Sequence, residues 1–259
     1  MQSFDYHRAS TLADATHHAG TAQALAGGQS LLPAMKLGLA APDALVDVGG
    51  LAELQGITRT GDAIVIGAGV THAAVAASEV VRGAIPALAD LAGMIGDRQV
   101  RHRGTLGGSL ANNDPAACYP AAVLALNATV HTTRRTIAAD DFFVGVYTTA
   151  LEPGELITRV SFPVPQADGW QKFKQPASRF ALVGVFVARH ASGGRVAVTG
   201  GGNGVFRCAP LEAALSARWA AAACEGVAVP ADDLSSDLHA SAEYRAAMIP
   251  VLAGRAVGG

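Results

Sequence analysis

Short apolar runs, cut by glycine, proline and hydroxyl residues, divide the chain into compact helix and strand units. Over residues 1–50 the pattern predicts a helix from Thr11 to Ala19, with Ser10 as its N-cap. A strand follows from Ala22 to Ala26 and runs into the pair Gly27-Gly28. Ser30 then caps a helix through Leu39, Pro42 breaks it, and Ala44–Val48 reads as a strand. This order predicts an α/β unit with a ligand loop at the carboxyl end of a strand.

A second stretch, 57–165, opens on the strand Ala63–Ile66, with helices from Thr71 and over Pro86–Met94. The polar segment 96–104 leads into a second pair, Gly107-Gly108. Pro120–Leu126 then reads as helix, and Thr129–Thr132 and Leu156–Phe162 as strands. The proline-rich segment 163–169 marks a boundary. Beyond it, Gln171–Lys174, Phe180–His190 and Arg195–Gly200 predict three strands, the last two joined by a hairpin turn at 191–194. Leu211–Cys224 and Ala240–Gly254 read as helices.

Composition narrows the class. Hydrophobic residues make up 50% of the 259 and charged residues 15%, as in a well-buried globular chain. A net charge of -2 and 5% aromatics point away from nucleic acid and anionic membranes. Cys118, Cys208 and Cys224 show no metal or cluster spacing, and no apolar run reaches the ~20 residues a membrane span needs. The start of the chain lacks a signal-peptide pattern, so it reads as cytoplasmic.

The chemistry concentrates at the glycine pairs. Glycine permits positive φ and close approach of a ligand to the main chain, and bare amides in such turns make anion-binding concavities. Two hydroxyl-flanked pairs, far apart in sequence, predict a nucleotide cofactor gripped from both sides. The single-loop solutions fail. In Gly67-Ala68-Gly69 the third Rossmann glycine is replaced by His72, and the glycines at 200–204 lack the Lys-Ser/Thr of a P-loop. The histidines show no metal-ligand spacing, and no Gly-x-Ser-x-Gly nucleophile is present. Asp140 and Asp141 read as helix-capping residues. Arg101 and Arg103 fit phosphate neutralisation and solvent exposure equally.

Both glycine segments, Ala26-Gly27-Gly28-Gln29-Ser30-Leu31-Leu32-Pro33 and Thr105-Leu106-Gly107-Gly108-Ser109 with Asn112-Asn113-Asp114-Pro115 after it, resemble the medium, FAD-binding subunit of the molybdenum hydroxylases. This is the xanthine dehydrogenase and aerobic carbon monoxide dehydrogenase family. Trp170-Gln171-Lys172-Phe173, followed by residues 177–185, resembles the start of that family's C-terminal domain.

The resemblance implies an α+β fold. Its FAD-binding domain, of the vanillyl-alcohol-oxidase (PCMH) type, would have subdomains at 1–55 and 56–166. A small α+β domain with a three-stranded antiparallel sheet would occupy 167–259. It also implies that Ala26, Gly27, Gly28, Gln29, Ser30 and Leu31 meet the FAD pyrophosphate from one side, and Thr105, Gly107, Gly108 and Ser109 from the other. Ile95 would lie against the cofactor and Asp114 would bond its sugar or ribityl hydroxyls. Leu156 or Ile157 would pack near its rings. Lys172, or Lys174 if the register shifts, would approach the isoalloxazine, where a cation favours the reduced, anionic flavin. Cys118 stands where many relatives carry an acidic cofactor contact, Gln29 where some carry His, and Trp170 where Tyr is usual.

The implied role is electron transfer. A partner with two [2Fe-2S] clusters would supply electrons released at a partner with molybdopterin, and FAD here would pass them to NAD, quinone or oxygen. A dimer of heterotrimers is the expected assembly. The alternative is a self-sufficient flavin oxidase or dehydrogenase, which needs its own substrate cavity and base.

Overall fold

The computed structural model describes residues 2–258. Its first layer holds β1 (Asp5–Arg8), α1 (Leu12–Ala19), β2 (Gln23–Leu25), α2 (Leu31–Lys36) and β3 (Ala44–Asp47). The strands form a parallel sheet in the order β1-β3-β2. β1 is absent from the predicted order because its residues are all polar or aromatic and mostly exposed. Backbone pairing to β3 alone makes it a strand. The cap of α1 also moves by one residue: Thr11, not Ser10, accepts from the Asp14 amide. Asp14 returns the contact by accepting from the Ser10 amide at 2.8 Å.

The second layer is a mixed set of strands and short helices. In chain order they are β4 (Ile57–Thr60), β5 (Ala63–Gly67), α3 (His72–Ala77), α4 (Glu79–Ala84), α5 (Pro86–Gly93), α6 (Arg98–Arg103), α7 (Leu106–Asn112), α8 (Tyr119–Ala125), β6 (Thr129–Thr132), β7 (Thr136–Ala138), α9 (Ala139–Phe142), β8 (Phe143–Gly145), β9 (Thr148–Thr149) and β10 (Ile157–Pro163). The order β4-β5-β10-β6-β7 makes one sheet, and β8 and β9 a separate hairpin. α6 replaces the predicted polar lead-in: Asp97 caps it through the Val100 amide, although none of its residues is buried. α7 replaces the predicted glycine loop, with Gly107 and Gly108 inside its first turn.

The third layer is β11 (Ala167–Lys174), β12 (Ala181–His190), β13 (Gly193–Thr199), β14 (Phe206–Arg207), α10 (Ala209–Ala217) and α11 (Ala242–Gly258). Its antiparallel sheet has four strands where three were expected. The short β14 adds an edge, and β11 begins inside the segment read as a boundary. The predicted helix Leu211–Cys224 is interrupted: α10 stops before an extended Arg218, and a 3-10 turn covers Ala221–Cys224.

β12 is buried on both faces, so it reads as an almost continuous apolar run. Val183, Val185 and Val187 join Leu211, Leu215, Ile249 and Leu252 in a C-terminal core. Phe186 and Ala188 face the other way, into the main core with Leu88, Leu91, Val123 and Phe162. β11 lies beside α5, where Asp168 accepts from the Ala87 amide and Lys172 donates to the Met94 carbonyl. No helix of the described residues is long and apolar enough to cross a membrane.

Candidate functional site

The two glycine segments meet. A Cβ built on Gly27 would overlap the Arg103 carbonyl oxygen and lie 2.8 Å from the Gly104 Cα. One on Gly108 would lie 3.6 Å from the Ala26 Cβ. Gly28 turns the chain with φ +71°, a conformation that favours glycine.

Their amides behave differently. After Leu25, whose carbonyl accepts from Val48, the amides of Gly27, Gly28, Gln29, Ser30 and Leu31 donate to no group among the described residues. Gln29 is folded back, its Nε2 donating to the Gly27 carbonyl at 3.2 Å. Ser30 sits at the N-cap of α2 with its hydroxyl making no cap bond. The second segment is closed. The amides of Leu106, Gly107 and Ser109 bond to the carbonyls of Val70, Ala68 and Thr105, and that of Gly108 bonds to the Thr105 hydroxyl. Gly107 is required by packing, since an added Cβ would stand 2.6 Å from the Ala68 Cβ. The expectation of bare amides thus fits the first segment and not the Gly107-Gly108 pair.

Beside this junction lies the turn Met94–Gly96. Arg101 donates to the carbonyls of Ile95 and Gly96, each at 3.1 Å. Arg179 reaches the Gly96 carbonyl at 3.3 Å, and Lys172 Nζ donates to the Met94 carbonyl at 3.1 Å. The third layer therefore touches the turn at two points. Lys172 is half-buried, whereas Lys174 lies beyond a register irregularity in β11 and is exposed. Arg103 has an exposed side chain and contributes to the junction through its carbonyl.

Cys118 is buried at the start of α8 with Lys172 beside it. Burial pushes its thiol up, Lys172 opposes that, and Asp114 adds to it. Asp114 closes a local turn by accepting from the Ala116 amide at 2.8 Å, and accepts from the Tyr147 hydroxyl at 3.2 Å. Asn113, with φ 43°, ties this turn to the β8–β9 hairpin through Gly145 and Thr148. Thr199 at the end of β13 donates to the Pro115 or Ala117 carbonyl, at 2.9 and 2.6 Å. Leu156 packs on the main core and its amide bonds to the Thr133 hydroxyl. Ile157 is buried as the first residue of β10.

Behind the second segment, His72 is buried and its Nδ1 has no partner among the described residues. Burial first, and Arg101 second, lower its pKa to about 4, so the ring is neutral at pH 7. Its ring lies 5.3 Å from that of Tyr119, whose buried hydroxyl is likewise unpartnered.

Sequence reasoning missed Arg179, Tyr147, Met94 and His72 here. All act through loop carbonyls or tertiary packing, which leave no periodic signal. Asp140 was misassigned. It makes no cap bond and instead pairs with Arg195 at 2.6 Å and Arg207 at 3.3 Å. Away from this junction, His7, Asp14 and His18 converge across β1 and α1, with one potential ligand atom from each within 4.8 Å of the others. Asp14 and His18 stand one turn apart on α1, and only the placement of β1 beside that helix brings His7 to them.

The model of the FAD-binding domain in molybdopterin dehydrogenase matches residues 2–165. The medium chain of carbon monoxide dehydrogenase from Afipia carboxidovorans is 36% identical, with 98% of this chain and 96% of that one covered. The nicotine 6-hydroxylase medium subunit of Paenarthrobacter nicotinovorans is 38% identical over 90% of this chain and 87% of its own. A solved carbon monoxide dehydrogenase from Hydrogenophaga pseudoflava, lacking the Mo-pyranopterin moiety, superimposes with TM-score 0.91 at 34% identity. That match covers 99% of this chain and 96% of the other. The chain belongs to the family of FAD-binding subunits of molybdopterin dehydrogenases. Within it, the full-length likeness is to medium chains of heteromeric oxidoreductases.

Proposed function

We propose that this chain is the flavoprotein component of a molybdenum-containing hydroxylase or dehydrogenase. It would take electrons from [2Fe-2S] clusters on a small subunit, after oxidation of a substrate at molybdopterin on a large subunit, and deliver them to an external acceptor. The observation that carries this reading is the run of undonated amides from Gly27 to Leu31, set against the backbone of the second glycine segment. Such a run presents its N–H groups to an anion, as a pyrophosphate requires.

The residues present fit FAD. Gly27 to Leu31 would hold the pyrophosphate by main-chain donors, with Ser30 adding a free hydroxyl. On the facing side, Thr105, Gly107, Gly108 and Ser109 would act by shape, with the Ser109 hydroxyl as the added donor. Asp114 and Tyr147 offer a paired acceptor and donor for hydroxyls. Ile95 and Leu156 or Ile157 supply apolar walls, and Lys172 brings a positive charge that Cys118 and the Met94 carbonyl hold in place. FAD, when bound, supplies chemistry that accepts electrons singly or in pairs. The protein binds, orients and electrostatically biases it.

We further propose a PCMH-type FAD-binding domain with subdomains 1–55 and 56–166, a C-terminal domain at 167–259, and a cytoplasmic dimer of heterotrimers. The chain purified alone, or supplied with FAD, should show the visible absorption of an oxidised flavin. A colourless protein that takes up no added FAD would overturn the reading. Co-purification with one iron–sulfur chain and one molybdenum chain tests the partners, and sedimentation of that complex tests the stoichiometry.

A further inference from the structure

His7 on β1 and Asp14 and His18 on α1 bring His7 Nε2, His18 Nε2 and one carboxylate oxygen within 4.8 Å of one another. His7 Nε2 lies 3.0 Å and His18 Nε2 3.6 Å from the same atom, Asp14 Oδ1. A tetrahedral zinc ion, bound at about 2.0–2.2 Å, holds neighbouring ligand atoms roughly 3.3–3.6 Å apart. The spacing here brackets that range.

The surroundings fit a ligand set. Asp14 Oδ2 is held by the Ser10 amide at 2.8 Å and the Ser10 hydroxyl at 3.2 Å, which leaves Oδ1 aimed at the imidazoles. Support of this kind, one oxygen held so that the other can ligate, is usual around bound metals. The two imidazoles are packed with centroids 3.9 Å apart. Two imidazoles and a carboxylate suit a borderline divalent cation such as Zn²⁺ rather than Mg²⁺ or Ca²⁺.

We propose that His7, Asp14 and His18 form a Zn²⁺ site that pins β1 onto α1, with a fourth coordination position open to water. All three side chains are partly exposed, so the ion can enter without rearrangement. The site is independent of the flavin reading. Its ligands lie in the layer that carries the first glycine segment, and the hydrogen bonds and ion pairs of their side chains among the described residues go to Ser10 and to one another, not to that segment.

Tag-free, chelator-treated protein titrated with Zn²⁺ should bind one equivalent per chain, with an unfolding midpoint that rises by several degrees and falls back on adding EDTA. Affinity should drop at least tenfold in His7→Ala and in His18→Ala, and stay unchanged in His239→Ala, with FAD content equal throughout. Co²⁺ bound to the unaltered protein should give intense long-wavelength d–d bands, a readout that needs no variant. Absence of saturable binding would overturn the proposal, as would binding that survives both His7→Ala and His18→Ala. The trio would then be a hydrogen-bonded cluster only.

Discussion

Gly27 is pressed against Arg103: a Cβ at residue 27 would overlap the Arg103 carbonyl oxygen. The first glycine of the first segment is therefore fixed by the backbone leading into the second. The segments make one junction, and the missing side chain of glycine is what lets the two main chains pack this closely.

Different glycines at this junction should fail differently. Gly27→Ala forces two backbones apart, so the cost should reach or exceed the ~3 kcal/mol upper end of ordinary overpacking. Gly108→Ala would meet the Thr105 hydroxyl at 2.9 Å, a side-chain atom able to turn away. Its cost is the cap bond to the Gly108 amide, about 1 kcal/mol. Thermal unfolding with and without FAD checks this. Gly27→Ala should lower the midpoint of the flavin-free protein much more than Gly108→Ala. Equal shifts would refute the packing account.

Lys172 and Lys174 differ in place, which yields a second prediction. Lys172 is held by the Met94 carbonyl beside Cys118, and Lys174 is exposed. Lys172→Met should lower the flavin midpoint potential by roughly 30 mV, about 1.4 kcal/mol for a two-electron couple. Lys174→Met should leave it unchanged. Redox titration of both variants decides the matter, and a shift in Lys174→Met alone would reverse the assignment.

What the sequence disclosed follows what periodicity can carry. β12 with its valines, β5, and the helices starting at Pro86 and near Pro120 were legible because burial and proline leave strong patterns. β1, α6 and β14 were not. β1 and α6 bury almost nothing, and β14 has only two residues, so backbone pairing or a single cap defines each. At the site, the glycine pairs and Lys172 stand out by residue type. Their division of labour does not, because it depends on which amides neighbouring carbonyls consume. Ala68 and Val70 occupy those of Gly107 and Leu106, and no motif encodes that.

His72 should make the fold sensitive to acid. Its pKa is lowered to about 4 from the ordinary histidine value of 6.5, chiefly by burial. Between these values the unfolded chain binds the proton more readily than the native one, so stability falls as pH drops through that window. The full effect is about 3 kcal/mol once pH is below both values. His72→Leu should flatten this part of the curve. Urea unfolding at pH 7 and pH 5 measures it, and an unchanged pH slope in the variant would exclude His72 as the source.

Asp168 should act in the opposite sense. Burial raises its pKa to about 6 from the ordinary aspartate value of 3.8, against the hydrogen bond it accepts from Ala87 at 2.7 Å, and nearby Asp90 adds to the rise. Here the native state holds the proton more tightly than the unfolded chain. Stability is therefore greatest below about pH 4 and declines as pH rises through about 6. Partial solvent access screens the charge, so a gain of about 1 kcal/mol is expected from removing it. Asp168→Asn keeps an oxygen for the Ala87 amide and carries no charge. It should raise the unfolding midpoint at pH 8 and leave it unchanged at pH 4. A variant less stable than the parent at pH 8 would mean that the ionised carboxylate strengthens its bond to the start of α5 by more than its burial costs.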